Sequence, residues 1–177
     1  MRIIKKTIFT IIMLLLLLTG CTDSNDVKSK EYDGEKLQIG IIGNIPEIRE
    51  LQIEFKEIDF DILKKDSFDS QYDAVFITKD NLSEASNAEY ASIYKESEIP
   101  FYFIDDEKSH VNFIEEDLSY EDEPDSKSGN YITGLLYVKE KFWGYGLYND
   151  TESDVNIKDV YSRVFQDISE IKNNELP

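Results

Sequence analysis

Two stretches decide the fold: Tyr72-Asp73-Ala74-Val75-Phe76-Ile77-Thr78 and Pro100-Phe101-Tyr102-Phe103-Ile104-Asp105-Asp106. Each holds a short, continuous apolar run closed by polar residues, the pattern of a strand buried on both faces. Between them Ser83 can cap a helix running to about residue 97, with Ala85, Ala88, Ala91 and Ile93 or Tyr94 turned toward the strands, and Pro100 ends it. Upstream, Leu37, Ile39, Ile41 and Ile42 form another apolar run that stops at Gly43. Asn44-Ile45-Pro46-Glu47 then places a cap residue, a first-turn proline and an acid three positions after the cap, so a helix is expected with Ile45, Ile48 and Leu51 on one face. Alternation from Ile53 to Ile58 predicts a further strand.

Apolar strands alternating with helices at this spacing predict a mostly parallel sheet covered on both faces. The pattern resembles the doubly wound architecture of flavodoxin- and Rossmann-like proteins, without their nucleotide motifs; Gly40 and Gly43 are explained by turns. The second half changes character. Residues 109–118 suggest a short helix with Val111, Ile114 and Leu118 on one side, and 115–125 (EEDLSYEDEPD) holds seven acids and no base, an exposed loop. Alternating segments at 131–138 and 142–148, joined by Lys139-Glu140-Lys141, predict a β-hairpin. Asn156 as cap, a Val155–Val160 staple, and Ile157, Val160, Tyr161, Val164, Phe165, Ile168 and Ile171 predict an amphipathic C-terminal helix. The expected fold is therefore a single compact α/β domain over 36–174: a mostly parallel, doubly wound-like sheet in the N-terminal half, a β-hairpin and a C-terminal amphipathic helix.

The chain outside that domain has its own logic. Of 177 residues, the first twenty hold Arg2, Lys5 and Lys6 and no acid, so all 37 acids and 16 of the 19 bases lie beyond them, a net −21 against −18 for the whole. A basic start, an apolar run over 7–18 and small residues at Thr19-Gly20 have the order and size of a secretory signal peptide over 1–20. The apolar run is too short to span a bilayer, which takes about 20 residues. Leu18-Thr19-Gly20-Cys21 resembles the lipobox of bacterial lipoproteins at all four positions. That resemblance implies cleavage before Cys21, a diacylglyceryl group on its sulfur, and residence on the outer face of the cytoplasmic membrane with the lipid bilayer as first partner. Two acyl chains make a stable anchor where one gives marginal binding. Cys21 is the only cysteine, so no disulfide or thiolate chemistry remains once its sulfur is a thioether. Residues 21–35 are polar with Val27 the one aliphatic, which predicts a flexible tether.

Candidate chemistry in the domain is sparse. Ser92-Ile93-Tyr94-Lys95 matches S-x-x-K and Ser128-Gly129-Asn130 loosely follows the second motif of penicillin-binding proteins, but Ile132-Thr133-Gly134 lacks the lysine of the third. His110 is the only histidine, so any Ser-His-Asp arrangement depends on it, and a zinc site, which draws on several N and S ligands, is excluded. Asp150 to Asp154 begins like a calcium loop, but Val155 replaces the required glycine and Tyr161 the bidentate glutamate. The aromatics Trp143, Tyr145 and Tyr148 read as hairpin packing. Open parallel sheets bind ligands at the carboxyl ends of their strands, which here carry Asn44, Thr78, Asp80, Asp105 and Asp106, a set suited to a cation. No cofactor or metal is expected, and the acidity argues against nucleic acid. The expected function is a non-catalytic binding or interaction module of the cell envelope, with a membrane-protein or cell-wall partner. The alternative is a small cell-envelope hydrolase using His110 or an acidic pair.

Overall fold

A computed structural model describes residues 30–126 and 128–175. Cys21, the expected signal peptide and most of the expected tether lie outside them. The chain forms one six-stranded mixed sheet, ordered β2-β1-β3-β4-β5-β6. β1 (Leu37–Ile42), β2 (Ile53–Glu57), β3 (Ala74–Thr78) and β4 (Phe101–Ile104) run parallel. β5 (Asn130–Leu136) and β6 (Lys141–Gly146) are the expected hairpin, which adds to β4 antiparallel and extends the same sheet.

Alternating side chains divide the sheet between two cores. On one face Leu37, Ile39, Ile41, Phe76 and Tyr102 pack against Val160, Tyr161, Val164, Phe165 and Ile168 of the C-terminal helix. Phe76 lies at the centre, its ring parallel to that of Phe165 at 6.3 Å and edge-on to Tyr102 at 5.4 Å. On the other face Val75, Ile77, Phe101 and Phe103 pack under α1 (Phe60–Leu63), α2 (Leu82–Ala85) and α3 (Ala88–Glu96). Phe113, from a 3-10 turn at His110–Phe113, stacks on Phe103 at 3.6 Å and closes this core.

Five expectations about the secondary structure are corrected. Residues 44–51 are not helical. Only ten residues, 43–52, connect β1 to β2, and they must retrace a six-residue strand of roughly 20 Å. A helix over 45–51 would advance about 10 Å and leave only residues 43, 44 and 52 to cover the rest while reversing the chain at both ends. The connection instead crosses without a helix, bent at Gly43 and Arg49 and turning at Leu51-Gln52, so that Ile48 reaches the core and Leu51 is 100% exposed. The helix expected over 83–97 is broken at Ser86-Asn87 into α2 and α3; Ser83 lies inside α2, and Ala88 is exposed. The helix expected over 109–118 shrinks to the 3-10 turn capped by Ser109. The C-terminal helix, α4 (Asp154–Lys172), is capped by Ser153, whose side chain accepts from the Asn156 amide. Asn156 is instead a fully buried brace, donating to the Tyr148 and Thr151 carbonyls, and Val155, the proposed staple, is 41% exposed. Gly40 is not a turn glycine: it lies within β1, where a Cβ would come within 2.8 Å of Ile58.

The tether was expected to reach residue 35, yet Tyr32 is buried against Phe165. Its amide donates to Glu50 at 3.3 Å, its hydroxyl donates to the Glu35 carbonyl at 2.9 Å, and its carbonyl accepts from Gln52 at 2.7 Å. Glu50, itself buried, accepts from Ser162 of α4, and Arg49 donates to the same Ser162 hydroxyl at 2.8 Å. A strap from Lys30, the extended connection and α4 are thus joined through one carboxylate.

Phe165→Ala should cost about 3–5 kcal/mol, because a fully buried ring leaves a cavity. Leu51→Ala should change stability by less than about 0.5 kcal/mol, having no packing to lose. Urea denaturation of the two variants beside the parent protein checks both.

Candidate functional site

The carboxyl edge of the parallel strands is mostly self-satisfied. At Gly43 the chain takes φ +112°, and a Cβ there would fall within 1.9 Å of the Thr78 hydroxyl. Thr78 Oγ1 accepts from Asn81 Nδ2 at 3.2 Å and lies 3.4 Å from the Ile42 carbonyl, so it ties β3 to β1. Asp105 adopts the left-handed conformation, φ 55°, and pairs with Lys79 at 3.0 Å. Lys79 also holds Glu107 at 2.9 Å, and these two carboxylates raise its pKa. Asn44 and Asp80 are exposed. Among the described residues no hydrogen bond or ion pair joins any two of Asn44, Thr78, Asp80, Asp105 and Asp106.

Asp106 is the correction within that set. Left-handed Asp105 turns the chain so that the Asp106 carboxylate points inward, 1% exposed. It accepts from the Lys108 amide at 3.0 Å, the Tyr120 hydroxyl at 3.1 Å and the Thr133 hydroxyl at 3.0 Å. Every donor comes from the protein, so this carboxylate is a staple between the acidic loop and β5. Burial raises its pKa, and the three hydrogen bonds oppose that rise. Lys108 completes the staple, its ammonium on the Tyr120 carbonyl at 2.5 Å and above the ring.

His110 lies beside this network with its ring 4.5 Å from that of Phe142. Burial lowers its pKa, with Asp106 acting the other way. Its neighbour Ser109 is occupied as a cap, accepting from the Val111 amide at 3.3 Å. The Ser92 of the S-x-x-K match is exposed on α3. Tyr145 is buried on β6 and donates to Asp167 of α4, so it is part of the core. Among the described residues there is no group of three or more His, Cys, Asp or Glu placed to hold a metal ion, and no helix long and apolar enough to cross a membrane.

A cleft of about 590 Å³ opens at the opposite edge of the sheet, at the amino ends of β3 and β4. Ile99 and Pro100, which lead into β4, meet Val138 of the hairpin turn and Ile171 of α4 along its apolar part. Its charged lining is Asp69, Asp73, Glu98, Lys139 and Lys172. Lys172 is committed: burial would lower its pKa, but Asp73 at 3.1 Å and Glu35 at 3.2 Å raise it. Asp69 and Glu98 form no ion pair among the described residues. The cleft therefore offers unpaired carboxylates beside apolar surface, a setting for an organic cation or a basic peptide side chain. Strand patterning directs attention to the other edge; the one local signal for this one is Val138, an apolar residue beside a polar turn.

No protein-family model matches the chain, and neither a curated protein nor a solved structure does.

Asp106→Ala should cost about 2–4 kcal/mol, since it strands the hydroxyls of Tyr120 and Thr133 in a buried setting. The pH dependence has a definite sign. With its folded pKa raised, the Asp106 contribution to stability is fully present below the unfolded carboxyl value and is lost as pH rises through the folded one. Wild type should therefore gain stability relative to Asp106→Asn as the solution is acidified from neutrality, measured by denaturant titration at a series of pH values.

Proposed function

We propose that the protein is an extracytoplasmic lipoprotein, anchored through diacylglyceryl Cys21 to the outer face of the cytoplasmic membrane, and that its α/β domain is a non-catalytic binding or interaction module of the cell envelope. The observation that carries this reading is Leu18-Thr19-Gly20-Cys21 at the end of a basic and then apolar leader. The Lys-, Ile-, Asn- and Glu-rich composition suggests a low-GC Gram-positive source, which agrees with residence on the cytoplasmic membrane. The buried strap at Tyr32 supports it further, because it joins the domain to the segment that follows Cys21.

The sheet is best understood as a doubly wound one whose first crossover helix is replaced by the extended segment 43–52 and whose last strands are a hairpin. In that architecture ligands sit at the carboxyl edge. Here that edge is held by Asp106, Thr78 and the Asp105–Lys79 pair, so the binding role passes to the cleft between β4, the hairpin turn and α4. The partner it suits is a membrane-protein segment or cell-wall component that carries a basic group next to an apolar one.

Two measurements test the reading. The native protein should partition into the detergent phase with the mass of a chain cut before Cys21 plus a diacylglyceryl group, and Cys21→Ser should be unprocessed and lose the lipid mass. A wild-type protein that keeps residues 1–20 and carries no lipid would sink the anchor. Second, a photo-crosslinking residue at Val138 in intact cells should give a discrete adduct that one at Glu116, on the acidic loop, does not give; equal labelling from both positions would remove the cleft from consideration.

A further inference from the structure

The strap that begins at Lys30 comes to the domain at one particular place. Arg49 Nη2 donates to the Lys30 carbonyl at 3.2 Å, Tyr32 donates to Glu50, and Gln52 donates to Tyr32, so the root of the anchor segment lies against the extended connection 43–52 on the α4 side of the sheet. Only residues 22–29 separate Cys21 from Lys30, and at most about 3.6 Å per residue holds Lys30 within roughly 30 Å of the lipidated cysteine.

At that root stands the most exposed apolar side chain described. Leu51 is 100% exposed, and both its neighbours are pinned, Glu50 by Tyr32 and Ser162 and Gln52 by the Tyr32 carbonyl. Leu51 is therefore presented outward by a fixed backbone. Ile45, 49% exposed on the same connection, and Val155, 41% exposed in the first turn of α4, belong to the same layer. An isolated exposed leucine needs no explanation in general. Its place at the base of a short lipid tether supplies one.

Charge separates the two sides of the sheet. Residues 30–57 and 154–172, which include the strap, the connection and α4, carry seven bases and eleven acids; residues 59–126, which include every helix covering the other face, carry five bases and twenty acids. An anionic leaflet repels the second side far more than the first.

We propose that the α4 side of the domain rests on the outer leaflet, with Leu51 inserted into the lipid interface beside the root of the anchor. The proposal builds on the lipid-anchor reading of Cys21. The competing apolar patch, Tyr137, Val138 and Phe142 on the hairpin, belongs to the far end of the sheet, four strand spacings or roughly 19 Å from β1. It remains free for a partner at the cleft that shares Val138.

The test uses the full lipidated protein in vesicles of phosphatidylglycerol and phosphatidylethanolamine. Cys21, its sulfur a thioether to the diacylglyceryl group, leaves no thiol, so Leu51→Cys, Phe142→Cys and Glu116→Cys each carry a single site for an environment-sensitive fluorophore. The expected result is a blue-shifted label at position 51, quenched several-fold more strongly by nitroxide-labelled lipid than those at 142 and 116. A label at 51 as wet as that at 116, or lipid quenching confined to 142, overturns the docking while flotation with the vesicles leaves the anchor intact. Failure of all three proteins to float with the vesicles overturns the anchor, and this proposal with it.

Discussion

Ten residues must bring the chain from the end of β1 back to the start of its parallel neighbour β2. Most such crossovers use a dozen or more residues and a helix. Here ten residues leave a helix almost no slack for the two reversals, the connection forms none, and much of the structure follows from that. The extended connection covers little of the sheet, so the nineteen-residue α4 provides most of the apolar cover on that face, and Tyr32 fills in beside Phe165. An extended segment also has backbone and side-chain polar groups to satisfy, and Glu50 and Arg49 do so by reaching α4 and the strap.

This explains which parts of the fold were legible in the sequence. β1, β3 and β4 are apolar on both faces and could be read directly, as could the hairpin and the buried stripe of α4 from Val160 to Ile171. The segment 44–51 carries good helix-start signals in Asn44, Pro46 and Glu47, and loses to a constraint of reach that no local pattern contains. The break at Ser86-Asn87 is likewise invisible to the alanine spacing, which is satisfied at Ala85 and Ala91 and fails between them at Ala88. Ser153 and Asn156 are both competent caps; which one serves depends on the Tyr148 and Thr151 carbonyls that Asn156 reaches.

The candidate site was less legible for a related reason. A carboxylate at a strand end looks the same in sequence whether it faces solvent or the core. Asp105 and Asp106 are adjacent, yet one pairs with a surface lysine and the other holds the hydroxyls of Tyr120 and Thr133. The difference lies in the left-handed backbone of Asp105, which costs a non-glycine residue energy and is repaid by the three hydrogen bonds it makes available to its neighbour. The cleft at the amino edge is assembled from β4, the hairpin turn and α4, segments separated by 30 residues or more, and no single stretch announces it.

The strap also has a mechanical meaning. A pull on residue 30 does not peel the sheet from its edge. It enters beside β1, an interior strand bonded to β2 on one side and β3 on the other, and part of it is diverted through Glu50 and Ser162 into the middle of α4. Tension along β1 loads its hydrogen bonds in parallel, so they must fail together instead of one after another. A force applied through the N-terminal segment would in this way meet the interior of the sheet before its edge.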